Sequence, residues 1–155
     1  MGLEIERKFL VDHEKWERVS KPEGTHYRQG YMLSDGQRTI RVRVSDKKAF
    51  LNLKSKMSQV SRKEYEYEVP LQDGIEMLDA FTTSGTEKIR YYIPVAGKIW
   101  EVDVFSDDNA GLIVAEIELK SEEEQFEKPD WITDEVTYDG RYTNAALSIH
   151  PYKDW

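Results

Sequence analysis

The sequence predicts an α+β chain that is mainly antiparallel β, with eight strands closing into a barrel and a few short helices at its periphery. Two observations lead there. Segments of period-two alternation, rich in Val, Ile, Tyr and Phe, recur along most of the chain. Tight-turn dipeptides and short polar loops separate them, while helical periodicity is confined to brief stretches.

The strands are expected at Leu3–Val11, Thr25–Leu33, Gln37–Ser45, Ala49–Met57, Arg62–Pro70, Lys88–Val95, Lys98–Phe105 and Leu112–Leu119. Asp35-Gly36, Ser45–Lys48, Ala96-Gly97 and Asp107–Gly111 read as the hairpin turns or short loops between them. Asp12 is placed to cap a short helix carrying Trp16 and Val19. Asp73 is placed to cap another carrying Ile75, Met77, Leu78 and Phe81. A short acidic helix is expected after Ser121, a loop from Pro129 to Gly140, and a last helix within Tyr142–Ile149. With 155 residues and no repeat or linker, the chain is expected to form a single domain over 1–155.

Composition removes several function classes. A formal net charge of −8 argues against nonspecific DNA or RNA binding, which needs surplus positive charge. No apolar run is long enough to span a membrane, and Met1–Val11 has no signal-peptide pattern. The absence of cysteine excludes disulfides and thiolate metal sites and suits a cytoplasmic protein. Walker and Rossmann glycine patterns are missing. His13, His26 and His150 lack metal-ligand spacing, and Ser55, Ser58 and Ser61 form no nucleophile motif. The run Glu122–Glu124 reads as a solvated helix start. Trp16, Trp100, Trp131 and Trp155 read as packing or interface residues.

Strand side chains alternate faces, and here the charges collect on one of them. Glu4, Glu6 and Lys8 oppose Leu3, Ile5 and Phe9, and Arg41 and Arg43 oppose Ile40, Val42 and Val44. Asn52, Lys54 and Lys56 oppose Leu51 and Leu53, and Arg62, Glu64, Glu66 and Glu68 oppose Tyr65, Tyr67 and Val69. The same holds for Lys88 with Arg90, Glu101 with Asp103, and Glu116 with Glu118. An ordinary amphipathic sheet would turn this face to solvent. Neighbouring charges within a strand mostly share a sign, however, whereas solvated surfaces usually mix them. Carboxylate blocks beside ammonium and guanidinium blocks suit a site that holds both cations and phosphate oxygens. The alternation alone allows either a charged exterior or a charged lumen.

The opening Glu4-Ile5-Glu6-Arg7-Lys8 resembles the ExExK signature of the CYTH domain, or triphosphate tunnel metalloenzyme, family. Arg41-Val42-Arg43, Leu53-Lys54, Arg62–Glu66, Lys88-Ile89-Arg90, Glu101–Phe105 and Glu116-Ile117-Glu118 follow in the family's order, so the resemblance covers essentially the whole chain. It matches least specifically after Ser121. It implies a charged tunnel inside a closed barrel and, at this length, hydrolysis of inorganic tripolyphosphate. Class IV adenylyl cyclase, thiamine or nucleoside triphosphatase, and a non-catalytic polyphosphate-binding module are the alternatives.

The resemblance implies that Lys8, Arg41, Arg43, Arg62, Lys88 and Arg90 bind the triphosphate, with Arg offering bidentate forks and Lys a mobile point charge. It implies that Glu4, Glu6, Glu116 and Glu118, with Glu66 and Asp103 in lesser parts, hold a divalent cation, Mg²⁺ or Mn²⁺. Glu4 and Glu6 on one strand face would lie roughly 6.5–7 Å apart at Cα. Strand parity turns Lys54 and Tyr31 to the same face, as a water-activating pair or as plain phosphate contacts. Crowding by cations would lower the pKa of either. A homodimer is expected, because Leu51, Leu53, Tyr65, Tyr67, Trp100 and Val102 would otherwise lie bare outside the barrel.

Overall fold

The strand pattern resolves, in a computed structural model that describes residues 2–58 and 60–155, into a closed antiparallel barrel with one added strand. The strands are β1 (Gly2–Val11), β2 (Thr25–Ser34), β3 (Arg38–Val44), β4 (Ala49–Lys56), β5 (Ser61–Val69), β6 (Ser84–Val95), β7 (Lys98–Phe105), β8 (Ile113–Glu118) and β9 (Ile132–Glu135). They follow the order β5-β4-β3-β2-β6-β7-β8-β1-β9, and a further β5–β1 pairing closes the barrel. Closure depends on β1 being long. Gly2–Ile5 pairs with β5, Glu6–Leu10 pairs with β8, and the edge that runs on past β5 is taken up by β9.

The barrel is inverted, with its main core outside. Phe9, Trp100, Val102, Ala115 and Ile117 point outward from β1, β7 and β8 and are buried there with Trp16 and Trp131. Helix α1 (His13–Glu17) and the segment carrying Phe126 and Trp131 form the cover, with edge-on aromatic packing of Phe9 on Trp100 and of Trp100 on Trp131. Trp100 and Val102 therefore need no partner molecule, contrary to the sequence-based expectation. Helix α2 (Leu71–Phe81) covers Val42, Val44 and Ala49. Its Gly74 lies so close to β4 that a Cβ would collide with that of Ala49. A third cluster lies inside one barrel end, where Leu147 of α3 (Asn144–Ile149) packs on Phe105, Leu112 and Val114. Among the described residues, no helix is long and apolar enough to cross a membrane.

Several local expectations change. The cap of α1 is Asp12, accepting from the Lys15 amide, as expected. Asp73, however, lies in the first turn of α2, which starts at Leu71 behind Pro70. Proline's fixed φ and missing N–H suit that entry. No helix follows Ser121. Glu124 instead folds back to accept from the Lys120 amide and pairs with Lys98, and the chain runs extended so that Phe126 reaches the aromatic core. The expected loop from Pro129 to Gly140 contains β9, whose polar Ile-Thr-Asp-Glu carries no visible alternation but satisfies the free edge of β1. Strand β6 starts at Ser84, since Ser84–Glu87 pairs with β2 despite weak β propensity.

Candidate functional site

Because strand parity is fixed by the packed exterior, the polar residue of every strand pair is carried into the lumen. There a cavity of about 280 Å³ is lined by Glu4, Glu6, Lys8, Tyr31, Arg41, Arg43, Lys54, Arg62, Glu66, Arg90, Glu116 and Glu118. Of the candidate site residues singled out in the sequence, only Lys88 and Asp103 do not line it; they lie on the same inner face, buried deeper in the barrel interior. Lys88 is fully buried, its Nζ 2.6 Å from Asp103 Oδ2, and Arg90 Nε donates to Asp103 Oδ1 at 2.7 Å.

The lumen is divided by sign. Strands β7, β8, β1 and β5 present Glu101, Glu116, Glu118, Glu4, Glu6, Glu64 and Glu66, whereas β6, β3 and β4 present Arg90, Arg41, Arg43 and Lys54. Two cations stand within the acidic arc: Lys8, 3.8 Å from Glu116, and Arg62 of β5. On that arc the carboxylates are crowded. Burial, then Glu116 and Glu4, push Glu6 well above the usual carboxylate range. Burial would raise Glu116 too, but Lys8, Arg90 and a hydrogen bond with Glu6 hold it well below. Glu6 is thereby biased toward its neutral form and Glu116 toward its charged form. Burial, then Glu4 and Glu101, also raises Glu118.

The basic arc has the opposite deficit. Arg41 is 8% exposed, and among the described residues no carboxylate lies within ion-pair distance of it. Its Nε, like that of Arg43, is buried without an acceptor. Burial, Arg41 and Arg90 together lower the pKa of Arg43. Arg43 has Glu66 at 3.7 Å, whereas Arg41 has no anion; a buried guanidinium so left costs roughly several kcal/mol, which an anionic ligand in the cavity would recover.

Lys54 is not crowded by cations as expected. Its Nζ donates to both oxygens of Glu4, at 2.9 and 3.1 Å, and stands 3.7 Å from Glu64. Burial works against its charge, but Glu4 and Glu6 outweigh burial and raise its pKa. Burial, with Arg90 beside it, instead pushes Lys88 down to about 7 despite Asp103.

Sequence reasoning missed several lining residues. Glu64 and Glu101 carried the right parity and were passed over as site residues. Asn52 is buried and donates to Glu64 and Glu66 at 3.0 Å, fixing both carboxylates. Thr143 and Asn144 reach the cavity from the start of α3, a position that strand alternation cannot signal.

The donor set fits a hard divalent cation, since Glu4, Glu6, Glu116 and Glu118 offer only oxygens to one cavity. Among the described residues no three acidic or histidine side chains form a closed cage. Water or substrate oxygens would have to complete the coordination, as is usual for Mg²⁺.

Comparison with known proteins agrees with this geometry. The CYTH domain family model matches residues 2–145. The chain belongs to the CYTH family. An inorganic triphosphatase of Acetivibrio thermocellus is 44% identical, over 100% of this chain and 99% of that protein. An inorganic triphosphatase of Nitrosomonas europaea is 34% identical, over 94% of this chain and 97% of that protein. A crystal structure of an inorganic triphosphatase superposes with a TM-score of 0.63 at 32% identity, covering 96% of this chain and 95% of that one. Within the CYTH family, then, this chain keeps a lumen in which carboxylates face guanidinium groups that they only partly pair.

Proposed function

We propose that this CYTH protein hydrolyses inorganic tripolyphosphate with the help of Mg²⁺ or Mn²⁺. One observation carries the reading: buried Arg41, without an acid partner, lines the same cavity as the carboxylates of Glu4, Glu6 and Glu116. A linear triphosphate with its cation supplies both missing charges. The names of the two relatives that match along nearly their whole length support the same reaction.

Glu4, Glu6, Glu116 and Glu118 are the residues that would hold the cation, with Glu66 beside them. Asp103 serves instead as the buried counterion of Lys88 and Arg90. When bound, the cation supplies Lewis-acid polarisation of a phosphoryl oxygen and a lower pKa for a coordinated water. Arg41, Arg43, Arg62, Arg90 and Lys8 take the phosphate oxygens, with Lys88 reinforcing the field from the buried interior beneath the cavity. Tyr31 and Lys54 line the same cavity and hold the attacking water in line with the terminal phosphoryl group. Lys54 is freed for this once Glu4 turns to the cation.

A purified-protein screen tests the reading. Tripolyphosphate, pyrophosphate, ATP and thiamine triphosphate would each be offered with Mg²⁺ or Mn²⁺. Metal-dependent phosphate release fastest from tripolyphosphate is expected. Faster turnover of a nucleotide, or cyclisation of ATP, would replace this reading with one of the branch alternatives.

The remaining bare outer face supports self-association. Leu51 and Leu53 of β4 pair in register with Tyr67 and Tyr65 of β5, and Tyr67 is 58% exposed. A homodimer through this face is proposed. Sedimentation showing only the 18.2 kDa monomer would remove it. The proposed cytoplasmic location rests on the cysteine-free sequence.

A further inference from the structure

The start of α3 carries an amide that the strand-borne site does not include. Asn144 is half-buried and lines the cavity beside Lys8 and Arg90. Its Oδ1 accepts from Lys88 Nζ at 3.1 Å and from Gln29 Nε2 at 2.9 Å. In its ammonium form, which prevails below neutral pH, Lys88 can only donate, so the oxygen of Asn144 faces it. Gln29 follows from the same logic: its Nε2 donates to both Asn144 and Thr86 Oγ1, and its own Oε1 is left buried and unpaired. Both lone pairs of the Asn144 oxygen are thereby used. Among the described residues no acceptor takes its Nδ2, so the two amide N–H donors are what Asn144 presents to the cavity.

We propose that Asn144 is a further substrate-binding residue, whose Nδ2 donates to a phosphoryl oxygen at the α3 end of the cavity. The inference rests on the triphosphate reading above and adds to it a neutral donor supplied from outside the barrel wall. The seat is built rather than incidental. Thr143 caps α3 by accepting from the Ala146 amide at 3.1 Å, and Leu147, one turn on, is anchored in the apolar floor. The Ser84–Ser148 hydroxyl pair, at 2.9 Å, pins the same face of the helix one turn on. A neutral amide also suits this place electrostatically. Lys88, Arg90 and Asp103 already concentrate charge there, and one more cation would raise the cost of the empty site.

The alternative is that Asn144 only fastens α3 to the barrel through its oxygen. The two roles separate by substitution in the full-length protein, with inorganic tripolyphosphate titrated calorimetrically without added metal. Asn144→Ala removes the donor without adding charge and should weaken binding at least about ten-fold, the scale of one hydrogen bond to a charged group. Asn144→Asp keeps an acceptor for Lys88 and Gln29, so its thermal midpoint should stay near the wild-type value while its affinity falls further than that of the Ala variant. Ser148→Ala loosens the helix but leaves the amide in place, and should bind within about two-fold of wild type. Wild-type affinity in Asn144→Ala, or an equal loss in Ser148→Ala, would overturn the assignment. Failure of the wild-type protein itself to bind tripolyphosphate would instead bring down the triphosphate reading, and this inference with it.

Discussion

The two faces of the same strands obey opposite rules. Outside, Phe9, Trp100, Val102 and Ile117 are buried among other apolar side chains, and the aromatic rings meet edge to face. Inside, one residue along on the same strands, Lys8, Glu101, Asp103, Glu116 and Glu118 meet charges that they only partly balance. The exterior holds the barrel closed. The lumen spends part of that stability on keeping unsatisfied groups in fixed positions, as a preorganised site requires. The comparison implies that exterior and lumen substitutions should move different observables.

The largest effect is expected outside. Trp100→Ala opens a cavity in the centre of the aromatic core and should cost about 3–5 kcal/mol of unfolding free energy, measured by urea titration. Surviving molecules should still bind tripolyphosphate. A smaller loss, below about 1 kcal/mol, would mean that the exterior is not the principal core.

Inside, Glu116→Gln keeps the size of the side chain and removes a charge. Turnover should fall roughly a hundred-fold or more, the scale of losing one preorganised electrostatic group, and the metal requirement should rise. Binding of tripolyphosphate without metal should be retained or tightened, because a repulsive charge has gone. Weakened metal-free binding would contradict the division of the lumen into an acidic and a basic arc.

Arg41→Ala reverses that signature. Tripolyphosphate affinity should fall about ten-fold to over a hundred-fold with or without metal, corresponding to roughly 1.5–3 kcal/mol for one charge-assisted hydrogen bond. Stability should not fall, since the substitution removes a buried charge without a partner. A destabilised variant with unaltered affinity would make Arg41 a structural residue.

How much of this was legible in the sequence depended on whether the information was local. Period-two alternation placed eight strands and the faces of Glu4, Arg41, Lys54 and Glu116, because parity needs only neighbours in the chain. It could not place β9, whose pairing is dictated by the free edge of β1 more than 120 positions earlier, as the Phe9–Glu135 register shows. Nor could it foresee that Phe126 would draw the acidic segment out of a helix. The surroundings of Lys54 were misjudged for the same reason. Glu4 meets it only because β1 and β4 flank β5 after closure. Asn144 left no signal at all, since its role depends on where a short terminal helix docks.

The smallest predicted effect tests the buried charges deep in the barrel interior. Lys88 and Arg90 share the single carboxylate of Asp103, and burial with Arg90 nearby lowers the Lys88 pKa to about 7. A bound polyanion favours the charged amine, so binding should raise that pKa. At pH 8 Lys88 is mostly neutral beforehand and more fully charged afterwards, so complex formation should take up a fraction of a proton. At pH 6 the amine is already charged and the uptake should vanish. Calorimetry in two buffers of different ionisation enthalpy reads the proton count, and comparison with Lys88→Met removes the contribution of the ligand's own protons. Equal counts for the two proteins at pH 8 would show that Lys88 does not change its protonation on binding and would overturn this prediction.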